Sequence, residues 1–218
     1  MLLPRLMLNR STQATRRTWR DAGFTFLEIA VVLAIIGILS AIALPVISRA
    51  LAGMRLNGAA RSISNLTAAT KTKAASQFTR ARLFVDKSTN SYHIDTWDAT
   101  VGNWVAVGGT TSLPPGVTFG FGVVAAPPAN TQPAINQAAQ CLDNALALIG
   151  NTACIVFNSR GIPIDDTPPP SPLRGSPTPA DALYITDGNL VFGITVSATG
   201  LIGVWYTPPL AAPSWTIS

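Results

Sequence analysis

From Phe24 to Leu44 the chain reads FTFLEIAVVLAIIGILSAIAL, 21 residues in which Glu28 is the only one that ionises. At about 1.5 Å of rise per residue the run predicts roughly 31 Å of helix, close to the thickness of a bilayer's hydrocarbon core. Beyond Pro45 the apolar positions thin to a stripe. Ala52, Leu56, Ala59, Ala60, Ile63 and Leu66 recur at helical spacing, so the helix is expected to continue and to dock that stripe on the domain that follows. Pro45 removes one helical hydrogen bond and predicts a kink. Ala30, Ala34, Gly37 and Ala41 lie along one side of the apolar half; they allow close helix approach, although membrane composition alone also produces such spacing.

From about Thr79 the period changes. Short alternating or apolar segments separated by Gly, Pro and Asn predict strands at RLFVD, SYHIDTW, NWVAV, GVTFGFGVV, CIVFNS, ALYIT, NLVFGITVS and LIGVWYT. KSTN is expected to join the first two as a hairpin, and Asp187-Gly188-Asn189 is a turn signal between two later strands. The Pro-rich stretch from Asp165 to Pro179 predicts a stiff, exposed loop. The pattern as a whole is α+β: a long N-terminal helix at 24–78, with its transmembrane half at 24–44, and a β-rich domain at 79–218.

Charge orients this layout. Upstream of the apolar run lie Arg5, Arg10, Arg16, Arg17 and Arg20 against one acid, Asp21, which keeps the N-terminus cytoplasmic and places everything after Pro45 outside. A secretory signal peptide fits less well, because the run is longer than an ordinary h-region and is followed by Pro45 and a polar helix instead of a small-x-small cleavage site. An ordinary signal anchor also fits these residues: a carboxylate in lipid costs several kcal/mol unless paired, neutralised or near the interface, and Glu28 lies near the N-terminal edge of the run.

Gly23-Phe24-Thr25-Phe26-Leu27-Glu28 followed by an apolar helix resembles the class III signal of type IV prepilins and type II secretion pseudopilins. The resemblance implies a leader at 1–23, cleavage after Gly23 by a membrane-embedded prepilin peptidase, methylation of the Phe24 amine, and extraction into a helical filament. It makes Glu28 the fifth residue of the processed chain, paired with the N-terminal amine of a neighbouring subunit. In a low-dielectric filament core an ammonium and a carboxylate each need such a partner. The helix RLNGAARSISNLTAATKTKAAS, the strand lead LPPGVTF, the segment IVFNSRG and the terminal hairpin LVFGITVSATGLIGVWY narrow the resemblance to GspH/FimT-type minor pilins and pseudopilins. That family implies a helix packed on an antiparallel β-sandwich-like domain, with other pilins or pseudopilins and an inner-membrane assembly platform as partners.

The formal charge of +5 largely belongs to the leader: of 15 Lys and Arg and 10 Asp and Glu, five arginines and Asp21 precede Gly23, leaving a net of about +1. Arg49, Arg55, Arg61, Lys71, Lys73, Arg80 and Arg82 cluster in or just after the helix and read as a solvated or subunit-facing flank. FimT-like DNA binders resemble one another in a basic GRxR-type motif near the C-terminus, whereas Thr199 to Ser218 here contains no Lys or Arg, so nucleic-acid binding is not expected. Cys141 and Cys154 fall on the non-cytoplasmic side, where a disulfide is favoured over two buried thiols.

With 11% charged residues and one histidine, the chain offers no convergent catalytic set, and no enzyme activity, metal or cofactor is expected. His93 and Asp95 share one side of a strand, but two ligands do not make a metal site, and Asp165-Asp166 reads as loop solvation. Trp97, Trp104, Trp205 and Trp215 read as core or interface anchors. The functional expectation is a minor pseudopilin of a type II secretion system, a single-pass inner-membrane precursor that joins the periplasmic pseudopilus. The alternatives are a FimT-like minor pilin of a type IV pilus, active in adhesion or DNA uptake, and a signal-anchored periplasmic binding domain.

Overall fold

A computed structural model describes residues 23–167, 174–179 and 181–218. Residues 1–22, which make up all but the last residue of the expected leader, the centre of the Pro-rich loop at 168–173, and Ala180 lie outside the described residues. The chain forms two units that divide at Pro45/Val46. Helix α1 is assigned over Phe26–Ser76, with Pro45 inside it.

In the first unit the helix carries its apolar side chains exposed all round, from Phe26 to Leu44. It is the one helix among the described residues long and apolar enough to cross a membrane. In the second unit the same helix has a single buried face. Leu56, Ala59, Ala60, Ile63, Thr67, Thr70 and Ala74 are buried at steps of three and four residues. The two threonines are accommodated because Thr67 Oγ1 donates to the Ile63 carbonyl (2.8 Å) and Thr70 Oγ1 to the Leu66 carbonyl (2.7 Å).

Among the described residues ten strands follow: β1 (Ala81–Asp86), β2 (Ser91–Asp98), β3 (Asn103–Ser112), β4 (Thr118–Phe119), β5 (Thr152–Phe157), β6 (Pro163–Ile164), β7 (Asp181–Thr186), β8 (Val191–Val196), β9 (Ile202–Thr207) and β10 (Thr216–Ile217). They make two antiparallel sheets ordered β3-β2-β1-β5-β6 and β10-β9-β8-β7-β4. Period-2 alternation sorts their side chains. Leu83, Val85, Ile155 and Phe157 of the first sheet and Leu183, Ile185, Phe192 and Ile194 of the second join the buried helix face in one core. The fold is therefore α+β, a long helix with antiparallel sheets, as its sequence pattern predicts.

The opposite sheet faces are covered as well, by the connection 120–151 between β4 and β5. Phe121, Val124 and Ile135 pack on Ala182, Tyr184 and Val191, while Cys141 and Ile149 pack on Cys154, Val156 and Phe84. This strap replaces part of an expected strand. GVTFGFGVV alternates like a strand, but only Thr118–Phe119 pairs, because Gly122 adopts a positive φ of 56° and Val124 N–H bonds back to the Phe121 carbonyl (3.1 Å). β3 is longer than expected, and the two-residue strands β6 and β10 carry too little periodicity to be read beforehand.

The hairpin between β1 and β2 is held by Asp86, whose Oδ1 accepts from Ser88 N–H (2.8 Å) and Thr89 N–H (3.3 Å). Helix α1 ends in a Schellman motif: Thr79 N–H bonds to the Ala74 carbonyl (3.2 Å) and Phe78 N–H to the Ala75 carbonyl (3.4 Å). Phe78 occupies the position that glycine usually takes, at φ 52°.

Candidate functional site

Gly23 and Phe24 lead into the helix as irregular backbone, and Thr25 caps it. Thr25 Oγ1 accepts the Glu28 N–H (3.2 Å) and the Thr25 carbonyl accepts the Ile29 N–H (3.2 Å), so Phe26 opens the first turn and Glu28 stands at its third position. Thr-x-x-Glu is the capping-box spacing. The Glu28 carboxylate therefore sits where the helix dipole favours negative charge, a local reason for an acid at this position that the opening apolar pattern does not reveal. Phe24, Glu28, Ile29, Val32 and Leu33 line an open, largely apolar depression of about 250 Å³ on this end of the helix. Phe24 is 79% exposed. A Cβ placed on Gly23 meets no atom of the described residues within 4 Å, so nothing in its own packing demands glycine there.

A family model described as the prokaryotic N-terminal methylation motif matches residues 20–44, the stretch that contains this site. No curated protein and no solved structure matches the chain. The N-terminus is thus of the type IV prepilin class, and the long apolar helix followed by antiparallel sheets is a pilin-like arrangement. The motif implies a single-pass, inner-membrane-anchored pilin-like or pseudopilin-like protein that a prepilin peptidase processes and that assembles with other pilins.

The globular unit places the remaining candidate residues in structural settings. Cys141 and Cys154 are bonded to each other, tying the strap to β5. His93 Nε2 lies 3.0 Å from Asp95 Oδ1, and the imidazole stacks on Phe84 with ring centroids 4.9 Å apart. Asp95 Oδ2 accepts from Arg82 Nε at 2.8 Å, both residues being buried, and Arg82 Nη1 donates to the Leu142 carbonyl (2.6 Å). Burial pulls the Arg82 pKa below its ordinary value while Asp95 opposes that shift. Arg82 therefore pins the strap to the sheet, and it is not part of a solvated basic flank. Lys71 leaves the flank too: its Nζ donates to the Gly200 carbonyl (2.9 Å), and a Cβ on Gly200 would stand 3.0 Å from that nitrogen.

Asp165 Oδ1 accepts the Thr167 N–H (2.7 Å), and Asp166 Oδ1 pairs with Arg174 Nη2 at 3.3 Å. Among the described residues no three His, Cys, Asp or Glu side chains gather closely enough to hold a metal ion. The tryptophans are tied within the chain. Trp97 and Trp104 meet edge to face at 5.3 Å with the Arg80 guanidinium over Trp97, Trp205 Nε1 donates to Thr195 Oγ1, and Trp215 Nε1 donates to the Ala126 carbonyl. One acid that sequence reasoning passed over, Asp181, is buried with no ion-pair partner among the described residues. Its position at the start of a strand gives no sequence signal.

Proposed function

We propose that the chain is a minor pseudopilin of a type II secretion system, cleaved between Gly23 and Phe24, methylated at Phe24, and assembled through Glu28 into a periplasmic pseudopilus. The observation that carries this reading is the combination at the helix start: an unconstrained glycine, an exposed phenylalanine, and a carboxylate held in the first turn of a helix whose apolar half, up to Leu44, carries no other charge. Cleavage would create an ammonium at Phe24. A neighbouring subunit's Glu28 then satisfies it inside a medium where neither charge is stable alone. Pro45 would loosen the helix near the membrane boundary during extraction. The five leader arginines support a cytoplasmic N-terminus and a periplasmic globular domain.

Intact mass and N-terminal analysis from the native host should show a chain beginning at methylated Phe24, with Gly23→Glu leaving the precursor uncut. Glu28→Leu should be inserted and cleaved normally yet be absent from filaments. Normal incorporation of that variant would remove the role assigned to Glu28.

Secretion is favoured over DNA uptake by the charge of the globular domain. After Lys87 its only Lys or Arg residues are Arg160 and Arg174, and Arg174 is engaged with Asp166. Phosphate neutralisation dominates DNA affinity, so labelled duplex titrated at two salt concentrations should show only weak, non-specific binding. Micromolar or tighter binding that weakens steeply with salt, and is lost on replacing Arg160, would favour the FimT-like pilin instead.

A further inference from the structure

On one face of the first sheet Trp97, Arg80, Trp104, Arg82 and Phe84 stack in series. The Arg80 guanidinium lies 4.6 Å from the Trp97 ring centroid and 5.6 Å from a Trp104 ring, and the Arg82 guanidinium lies 4.3 Å from Trp104 and 5.1 Å from Phe84. The two arginines differ in what they hold. Arg82 is bonded to the Asp95 carboxylate and to the Leu142 carbonyl. Arg80 is half-buried, and among the described residues its guanidinium has neither a hydrogen-bond acceptor nor an ion pair. Burial holds its pKa below the ordinary value, and Asp166, which opposes that shift, is itself paired with Arg174. Two residues earlier, within about 7 Å along the backbone, Phe78 is 85% exposed at φ 52°, in the helix-ending position that glycine fills without strain. A backbone outlier that persists against stability points to a use for the side chain it displays.

We propose that Phe78 and Arg80, backed by Trp97, form a docking surface for another subunit of the pilin class, one that presents a carboxylate beside an apolar recess. Arg82 shows what a guanidinium in this stack takes, a carboxylate bonded in its plane. Arg80 has the same fork of donors with nothing in it, and stacking on Trp97 fixes its orientation before a partner arrives. Charge therefore sets the partner's sign, and the exposed phenyl ring sets the need for an apolar recess next to that acid. Aromatic rings and arginines are also the side chains in which binding energy concentrates at protein interfaces. A free anion would satisfy Arg80 and leave Phe78 without a reason, whereas a folded subunit satisfies both. The inference rests on assembly with other pilins, and it holds for a secretion pseudopilus and for a pilus alike.

The test is photo-cross-linking of the full chain in its native host, with p-benzoylphenylalanine at position 78. The adduct should contain a peptide from a subunit that carries its own N-terminal methylation motif, and Arg80→Gln should lower its yield by roughly tenfold. Arg80→Glu should abolish the adduct, and a lysine in place of the partner's acid should restore it. Phe78→Gly relieves the backbone, so it should keep or raise the denaturant midpoint of the purified protein while lowering its share of the filament fraction by roughly tenfold. That opposition separates docking from a structural role, which would lower both. Equal incorporation of Phe78→Gly and wild type, an adduct confined to lipid or to proteins without the motif, or a yield indifferent to Arg80→Gln would overturn the proposal. Glu28→Leu run in parallel keeps the two readings apart. Its exclusion from filaments beside normal incorporation of Phe78→Gly removes the Phe78 surface and leaves the Glu28 role standing, and the reverse pattern supports the surface and removes the Glu28 role.

Discussion

Ile36 and Ile63 are the same side chain on the same helix, yet one is 52% exposed and the other completely buried. In the first unit the helix is apolar on every side, which suits lipid or a filament core, where the surroundings supply the apolar contact. In the second unit its apolar residues form a stripe, and two sheets supply that contact from within the chain. One helix therefore serves two solvents, and composition changes along it to match.

Substitutions that treat the two halves alike should break this comparison first. Ile63→Ala removes a wholly buried side chain from the shared core and should cost about 2–5 kcal/mol of the globular unit's stability, read as a lower denaturant midpoint with an unchanged slope. Ile36→Ala should leave that midpoint where it is. A matching loss from Ile36→Ala would mean that the apolar half takes part in the globular unit's folding.

Asp181 offers a subtler contrast with Glu28, a carboxylate buried by the fold against one placed at a helix start. Its folded pKa of about 8 stands above the ordinary carboxyl value of 3.8, so the folded state holds the proton over that interval and the unfolded state does not. Its contribution to stability should be complete below about pH 4, fall as pH rises toward 8 at up to about 1.4 kcal/mol per pH unit, and then level off. Thermal unfolding of wild type and Asp181→Asn across pH 4–9 measures it. The variant should lose this component of the slope, and identical profiles would mean that Asp181 ionises normally.

The smallest effect is expected at the helix end. Phe78 is 85% exposed and held at positive φ, a conformation that disfavours an aromatic side chain by about 1–2 kcal/mol. Phe78→Gly should raise the stability of the globular unit by about 1 kcal/mol while leaving the Schellman hydrogen bonds in place. Any loss of stability would show that the exposed ring makes a contact within the chain.

Much of this was legible before the structure. The apolar run, the stripe at Leu56, Ala59, Ala60 and Ile63, and the strands around Leu83, Ile155, Leu183 and Ile194 follow from periodicity, because a helix repeats near 3.6 residues and a strand at 2. The methylation motif matched at residues 20–44 was legible for a different reason, being a contiguous segment of the sequence. The capping geometry of Thr25 and Glu28 is present in the same letters, as the Thr-x-x-Glu spacing that opens the apolar run.

What periodicity could not supply was any relation between distant segments. Arg82 looked like one more surface cation until β1 and β2 paired in the register that sets it opposite Asp95, and the strap brought the Leu142 carbonyl to its guanidinium. The strap itself has no repeat, since its apolar residues are spaced to meet the outer faces of two sheets instead of following a single element. Asp181 is the limiting case. Its sequence context specifies a strand start, and only the closure of β5, β6 and the strap around it makes its carboxyl buried, unpartnered and hard to ionise. Local spacing determines which elements form, and a contiguous stretch suffices to carry the methylation motif. Desolvation and charge pairing depend on what lies across the gap, and only the tertiary structure decides that.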